Sequence, residues 1–285
     1  MSTFTRTLDS KKIEKLKNET LFRDHLLEDI KKGEVFPAIR HNAIDFYYKG
    51  NLLFEYNKKF RTHIKYASIY VHNKNDPYIS EDDLKDIEPL KNFSSGESYR
   101  RIKETCSLYA KPETEGVSKI IGEYSFVKKS SPNVLDIEVA FSNIKDIDEI
   151  KKPDTKVDKI DLLLQDNNAL KFIEVKRYVD GRLWTEEVKN QIGRYQSQIH
   201  KRKTEILDAY SNYVKIMNQL FENILQTPLT TPKILHEKVP LLVFGYDRDQ
   251  RKDLKGFIEK NFEGYPTKEI GGMGNLKIET LWNSS

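Results

Sequence analysis

Cysteine is almost absent from this chain, because Cys106 is the only one in 285 residues. A single cysteine cannot form an intramolecular disulfide or a cysteine-based zinc site, and this favours a reducing compartment. The first 17 residues are polar and basic rather than an apolar signal core,. No run approaches the ~18 uncharged apolar residues that suggest a membrane span. These absences predict a cytoplasmic protein that does not contact a membrane.

A glycine-rich phosphate-binding loop is also missing. The stretch Gly271-Gly272-Met273-Gly274 has neither the Lys-Ser/Thr of a P-loop nor the six-residue dinucleotide pattern,. Apolar residues make up 38% of the chain, below the roughly 45–50% of globular proteins. The net charge of +4 is too small to identify a partner,. Composition therefore predicts a highly charged globular protein without a common nucleotide-binding motif.

The N-terminal third contains helical and strand patterns. Residues 9–32 have apolar residues near helical spacing and are followed by Gly33, which predicts an amphipathic helix and its end,. Residues 76–95 are acidic and turn-rich, which predicts a domain boundary between residues 1–95 and 96–285. The N-terminal region would contact substrate or a partner. Aromatic and β-branched runs, with a hairpin turn at Lys49-Gly50-Asn51, predict a small antiparallel sheet of four strands: Val35–Ile39, Ile44–Tyr48, Leu52–Tyr56 and Phe60–Tyr70.

The rest of the chain interleaves helices with strands, which is typical of an α/β layer structure. Helices are predicted over 97–109, 113–127, a long region 184–225, and Gln250–Asn261,. Strands are predicted over Val134–Ser142, Lys159–Gln165, Leu170–Arg177, Val239–Tyr246 and Leu276–Trp282,.

Two neighbouring apolar strands carry acidic residues that a sheet interior does not normally contain. A two- or four-residue hairpin loop centred on Asn167-Asn168 places Gln165 opposite Leu170. The same register puts Asp161 directly opposite Glu174. Facing carboxylates repel one another, and they are costly within apolar strands unless a positive charge neutralises them.

Lys176 supplies one such charge, because strand alternation sends it to the face of Glu174. Carboxylate oxygens, joined by the backbone carbonyl of Val175, suit Mg²⁺ or Mn²⁺. Such an ion can generate a nucleophilic water and neutralise charge on a phosphate. The sequence therefore predicts a metal-dependent catalytic centre of Asp161, Glu174 and Lys176, with Lys176 on a face open to substrate.

An acid-x-Lys tripeptide alone is a weak signal. The same pattern occurs elsewhere, for example at Glu187–Lys189 and Asp253–Lys255. A bare match favours a salt-bridged pair on a surface. Only Glu174–Lys176 also lies on an apolar strand paired with an Asp-bearing strand, and this context favours the catalytic interpretation.

Asp161, thirteen residues before Glu174-Val175-Lys176, resembles the motif of the PD-(D/E)XK nuclease superfamily. Element order extends the resemblance over roughly residues 97–282, although Ile160 stands where the family has proline. The resemblance implies a restriction-endonuclease-like core, a mixed sheet flanked by helices, to which the N-terminal helix and small sheet are added. It also implies a Mg²⁺- or Mn²⁺-dependent nuclease that cuts DNA in preference to RNA, and it points weakly to restriction or anti-phage defence.

The same resemblance implies further site residues. The family carries a Gln, with a Tyr one turn later, on the helix after the E-x-K strand, and Gln191 and Tyr195 match this pair. An ordinary polar stripe on a long helix would explain them equally well. Many members add an acidic residue from the first helix or first strand. Glu138, a carboxylate inside an apolar strand, matches best; Glu115 and Glu123 on the preceding helix are the alternatives.

Basic residues outnumber acidic ones around and after the motif. Arg182, Lys189 and Arg194, with Tyr195, would contact nucleic acid and give salt-dependent affinity, although a solvated helix face would also explain the charges,. Two further alternatives stay open. The fold could serve as a non-catalytic nucleic-acid-binding or assembly module, and the chain could act as a homodimer or with a partner protein subunit.

Overall fold

The computed structural model describes residues 4–67, 77–84, 90, 92–141 and 159–284. Within them the chain is a mixed α/β protein with eight α-helices and two β-sheets, one antiparallel and one mixed. No helix in this part of the chain combines the length and apolar character needed to cross a membrane. The chain divides into two compact units: Arg6–Lys129 with Lys215–Pro228, and Met1–Thr5 with Ser130–Val214 and Leu229–Ser285.

The first unit contains the N-terminal helices and the antiparallel sheet. Its helices are α1 (Ser10–Asn18), α2 (Leu27–Lys32), α3 (Gly96–Leu108) and α4 (Pro112–Tyr124), with a π-helical turn over Phe22–Leu26. Its strands, in sheet order, are β1 (Val35–Ile39), β2 (Ile44–Tyr48), β3 (Asn51–Tyr56), β4 (Phe60–His63) and β5 (Tyr78–Ser80).

The four strands predicted for this unit are present, but the sheet has a fifth strand, β5, which lies in the stretch predicted to be turn-rich. Two other predictions need correction. The helix predicted over residues 9–32 is interrupted at Glu19, where the backbone is extended. The strand predicted over Phe60–Tyr70 ends at His63, and residues 68–70 of that prediction lie outside the described residues. The domain boundary predicted between residues 95 and 96 stays a prediction. In the structure, α3 and α4 pack in the same compact unit as the N-terminal sheet.

Two turns in this unit depend on left-handed backbone. Helix α2 ends at Gly33, whose φ is 77°, as the predicted stop requires,. The β2–β3 hairpin turns at Lys49 and Gly50, with φ values of 47° and 75°. Positive φ at both central residues is what a type I′ hairpin turn needs. A Cβ added to Gly50 would lie 2.3 Å from the Cβ of Thr114, so a larger residue does not fit.

The second unit contains the mixed sheet. Its helices are α5 (Glu186–Lys201), residues 203–214 of α6 (Lys203–Phe221), α7 (Gln250–Asn261) and α8 (Ile278–Trp282). Its strands are β6 (Asn133–Ala140), β7 (Lys159–Asp166), β8 (Ala169–Arg177), β9 (Ile234–Leu235), β10 (Leu241–Phe244) and β11 (Thr267–Ile270). The sheet order is β11-β10-β8-β7-β6, with β9 also paired to β8. Strands β6, β7 and β8 are antiparallel, whereas β8, β10 and β11 are parallel.

Two predicted elements of this unit differ from the structure, and strand β11 is an element that was not predicted. The strand predicted over Leu276–Trp282 is wrong, because Ile278–Trp282 forms α8; a short apolar run fits a helix or a strand by periodicity alone,. Strand β11 was not predicted, since its four residues include Lys268 and Glu269. The long helical region is two helices that meet at Arg202.

Strands β7 and β8 are covered on both faces, as their continuous apolar runs predict. Leu162, Leu163 and Leu164 on β7 are fully buried, and so are Phe172 and Ile173 on β8. A charged side chain on these strands therefore lies next to the core of the unit, where it needs a partner.

Candidate active site

The β7–β8 hairpin positions the predicted catalytic residues. Its turn is Asn167-Asn168, and Asn167 has a φ of 50°, a left-handed conformation that asparagine tolerates,. Gln165 pairs with Leu170, and the ladder continues to the rung of Leu162 and Ile173. The register predicted from the sequence is therefore confirmed over the length of this ladder.

Asp161 and Glu174 are the next residues beyond the ladder. The Oδ2 atom of Asp161 accepts a hydrogen bond of 2.7 Å from the N–H of Val175. On the other side of β8, the N–H of Glu174 donates to the carbonyl of Pro240 at 3.0 Å. The backbone of β8 therefore fixes the Asp161 carboxylate at the point where β7–β8 pairing ends.

Lys176 draws together the oxygens that are predicted to bind metal. Its ammonium donates to Glu174 Oε1 and, at 3.2 Å, to the carbonyl of Val175. It also lies 4.0 Å from Asp161 Oδ2. Two carboxylates and one backbone carbonyl thus converge on a single cation, and they are the three groups predicted as metal ligands.

These charges are buried. The side chains of Glu174 and Lys176 are 1% and 3% exposed, and that of Asp161 is 18% exposed. The expectation that Lys176 lies on an open face is therefore wrong. Removing an ion from water costs several kcal/mol even in a relaxed protein, so Glu174 and Lys176 depend on one another in this conformation.

Glu138 lies in register with Asp161 on the other side of β7. The adjacent rungs of the β6–β7 ladder are Ile137–Leu162 and Val139–Ile160. The φ of Glu138 is 50°, a left-handed conformation that costs a non-glycine residue on the order of 1–2 kcal/mol,. Its carboxylate lies 3.4 Å from the ammonium of Lys159, which shares a face with Asp161 by strand alternation. Asp161 is therefore flanked by Glu138 on β6 and Glu174 on β8.

The other two candidates for the additional acid, Glu115 and Glu123, lie on α4. That helix belongs to the first unit. Within the second unit, Glu138 is the candidate that shares a sheet with Asp161 and Glu174.

Gln191 and Tyr195 are buried on one side of α5. The Gln191 side-chain amide donates to the Tyr195 hydroxyl at 2.5 Å, and that hydroxyl donates to the carbonyl of Lys159 at 2.7 Å. Lys159 lies two residues before Asp161, so this chain of hydrogen bonds ties α5 to the start of β7. The predicted pair thus lies beside the site and contacts strand backbone.

Asp180 was not singled out by the sequence, although it directly follows the turn after β8. It accepts hydrogen bonds from the Arg182 backbone N–H at 3.0 Å and from the Arg182 guanidinium at 2.6 Å. Burial raises the pKa of Asp180, but the hydrogen bonds from Arg182 and the charges of Arg182 and Lys176 together bring that pKa below its ordinary value. Asp180 is therefore part of the electrostatic environment of Lys176.

The three predicted phosphate-binding residues are all at least partly accessible. Arg182 is exposed and paired with Asp180, Lys189 lies 3.6 Å from Glu186, and Arg194 is exposed on α5. Accessible ion pairs contribute only about 0–1 kcal/mol, so a phosphate could compete for these side chains. Their role in binding nucleic acid stays a prediction.

The acids of this site contact lysines. Glu138 pairs with Lys159, and Glu174 with Lys176. Within the described ranges, no group of three or more His, Cys, Asp or Glu side chains is arranged to hold a metal ion. The oxygens around the Lys176 ammonium nevertheless have the hard donor chemistry that Mg²⁺ and Mn²⁺ prefer. A metal ion and this ammonium could not occupy the same position, so a metal ion could bind to these oxygens only if Lys176 moved.

Comparison with known proteins finds no relative, because no protein-family model, curated protein or solved structure matches the chain. The chemistry of the site is therefore inferred from its geometry alone. A buried cation position is lined by oxygens at the end of a strand pair. Such a position can stabilise an ammonium or a divalent ion.

Proposed function

We propose that this chain is a metal-dependent nuclease of the PD-(D/E)XK type, which hydrolyses phosphodiester bonds with DNA as its preferred substrate. One observation carries the proposal. Oxygens of Asp161, Glu174 and Val175 converge on one cation position where the β7–β8 ladder ends. Acid-x-Lys patterns are common in this chain, but this one combines burial, an opposing Asp and a converging backbone carbonyl.

The arrangement of secondary structure supports the same proposal. The antiparallel strands β6, β7 and β8 are followed by α5 and, after α6 and the two-residue β9, by β10, which pairs with β8 in parallel. A restriction-endonuclease-like core has this order of three antiparallel strands, a helix and a fourth strand. The acids lie on the three antiparallel strands, in agreement with the resemblance in sequence.

Each site residue has a role in the proposed reaction. Asp161, Glu174 and the Val175 carbonyl would hold Mg²⁺ or Mn²⁺, and Glu138 would add a carboxylate from β6. A bound ion of this kind supplies a nucleophilic water at neutral pH and neutralises phosphate charge. Lys176, released from Glu174, would donate a hydrogen bond to the attacking water or to a phosphate oxygen. Gln191 and Tyr195 would hold α5 against β7.

A non-catalytic nucleic-acid-binding or assembly module is the second candidate. The burial of the Glu174–Lys176 pair favours this candidate, because a permanent structural ion pair would have the geometry that is observed here. Breaking such a pair is strongly destabilising whether or not the site is catalytic. Activity and stability must therefore be measured on the same variants.

Cleavage of end-labelled DNA tests the proposal. We expect cleavage of double- or single-stranded DNA with Mg²⁺ or Mn²⁺, loss of cleavage in excess EDTA, and weaker cleavage of matched RNA. Glu174→Gln should abolish it, because one ligand loses its charge. Lys255→Ala is the control, because Lys255 belongs to the acid-x-Lys pattern of α7 and forms an exposed pair with Glu259. Equal activity of Glu174→Gln and the parent would refute the proposal, as would activity that survives EDTA.

A further inference from the structure

We infer that Tyr210 and Tyr213 of α6 are positioning residues, which fix a bulge in β6 and thereby set Glu138 beside Asp161. The inference deepens the proposed function and rests on it for the role of Glu138. It concerns groups that lie outside the predicted ligand set and that have no reactive part in the site.

The bulge lies at Leu135. Before it, Val134 pairs with Leu164; after it, Asp136 pairs with Leu163, so β6 carries one extra residue at this position. Bulges of this kind redirect the side chains that follow, and they are over-represented next to active sites.

The register beyond the bulge decides which residue faces Asp161. The pairing of Ile137 with Leu162 puts Glu138 opposite Asp161. If the register before the bulge continued, Ile137 would face Asp161 and Glu138 would move to the opposite face of the sheet. A one-residue slip moves every following side chain in this way, because the period of a strand is two.

Both tyrosine hydroxyl groups bind the bulged segment. The Tyr213 hydroxyl donates to the carbonyl of Leu135 at 2.7 Å, and the Tyr210 hydroxyl donates to the carboxylate of Asp136 at 2.8 Å. Asp136 also accepts a hydrogen bond of 2.8 Å from the N–H of Ile137.

The two tyrosines and Asp136 form a buried clamp on the bulge. Both tyrosines and Asp136 are fully buried, and the two rings pack with their centroids 5.4 Å apart. A buried carboxylate and a bulged carbonyl each need a hydrogen-bond donor, and the two hydroxyl groups supply one to each. Helix α6 therefore specifies the position of the bulge, and through it the register of the strand that carries Glu138.

A double-mutant cycle on manganese affinity tests this inference. Mn²⁺ binding is measured by electron paramagnetic resonance for the parent, Tyr213→Phe, Tyr210→Phe, Glu138→Gln and the double variants. Phenylalanine keeps the ring and removes only the hydroxyl. We expect each tyrosine variant to bind Mn²⁺ about tenfold more weakly, the range typical of groups that orient metal ligands. In the Glu138→Gln background the same changes should have no further effect, because the clamp acts through Glu138.

Tyr99→Phe is the matched control, since Tyr99 is a buried tyrosine of the first unit whose hydroxyl donates to a carboxylate, that of Asp29, at 2.6 Å. It should lower the free energy of unfolding by a similar amount and leave Mn²⁺ affinity unchanged. Additive effects of Tyr213→Phe and Glu138→Gln would overturn the inference, and so would an equal loss of affinity in the control.

A second readout separates this inference from the proposed function. Nuclear Overhauser contacts between Val139 and Ile160 report the β6–β7 register without any metal. We expect these contacts to weaken in Tyr213→Phe and to persist in Tyr99→Phe. If the parent protein binds no Mn²⁺ and cuts no DNA, the proposed function fails while the register measurement still tests the clamp. Unchanged contacts in both Tyr210→Phe and Tyr213→Phe would refute the inference.

Discussion

Replacing Lys176 with methionine removes the cation on which the site oxygens converge and keeps most of the side-chain volume. Lys176 and Glu174 are almost wholly buried, so Glu174 would be left as a buried charge without its closest positive partner. Loss of one member of a buried ion pair typically costs about 3–5 kcal/mol. Because both side chains are shielded from water, this range applies without the large reduction that an exposed pair requires.

The size of the effect should depend on metal. If Asp161, Glu174 and the Val175 carbonyl bind Mn²⁺, the ion can replace the missing ammonium in Lys176→Met. Ligand binding to the native state at about 100 times the dissociation constant adds about 2.7 kcal/mol. We therefore expect saturating Mn²⁺ to return most of the stability lost by the variant, and to stabilise the parent less, because in the parent the ammonium competes for the same oxygens.

Chemical denaturation with and without Mn²⁺ measures both quantities, and DNA cleavage is followed on the same samples. Lys176→Met should be inactive at every Mn²⁺ concentration, since the proposed reaction uses the lysine as a hydrogen-bond donor. The double variant Lys176→Met/Glu174→Leu should be more stable than the single variant without metal, because it removes both buried charges. A loss below about 1 kcal/mol would contradict the buried ion pair. A large loss that Mn²⁺ does not reverse would refute the metal site and leave a structural pair.

Three further outcomes follow from the contacts around the site. Asp180→Asn should lower stability at neutral pH: the pKa of Asp180 is depressed in the folded protein, so its contribution is present above the unfolded value of 3.8 and disappears as pH falls through the folded value,. Unfolding curves of parent and variant should therefore converge in acid, and a constant difference would contradict this. Tyr195→Phe should cost about 1–3 kcal/mol, because the buried side-chain amide of Gln191 loses its acceptor and the Lys159 carbonyl loses its donor,; equal stability in urea would show that water replaces the hydroxyl. Arg194→Ala should reduce the slope of log affinity for DNA against log salt by about one unit. The control is Arg248→Ala, an exposed arginine after β10 that is not among the predicted phosphate-binding residues, and it should leave the slope unchanged. Equal slopes for the parent and Arg194→Ala in a binding titration would show that Arg194 is an ordinary solvated side chain.

Most of the sheet around the site could be predicted because its signals are local. The apolar runs of β7 and β8 and the Asn167-Asn168 turn fix a register by themselves, since a two-residue hairpin leaves one pairing. Strand β11 and helix α8 could not be predicted in the same way. Each is short, and its secondary structure depends on what it packs against rather than on its own periodicity.

The burial of Lys176 could not be predicted from the sequence. Strand alternation gives the face on which Lys176 lies, but only the three-dimensional structure shows that Glu174 Oε1 and the Val175 carbonyl enclose its ammonium. The bulge at Leu135 was missed for a related reason. Nothing in Asn133–Ala140 marks an extra residue, because the hydroxyl groups that stabilise it come from α6, more than 70 residues further along the chain.

The burial of Lys176 and the bulge at Leu135 both concern how the sheet accommodates three carboxylates. Glu174 is neutralised by a lysine two residues away on its own strand, whereas Glu138 reaches the face of Asp161 through a bulge and a strained left-handed backbone. Strain at Glu138 lowers stability, and a sheet needs no carboxylate at that position for its packing. An ordinary structural ion pair would explain Glu174 and Lys176, but it gives no reason for the strained backbone at Glu138. The conformation of Glu138 therefore favours a binding site over a structural pair, because a cation shared by the acids of β6, β7 and β8 would compensate for that strain.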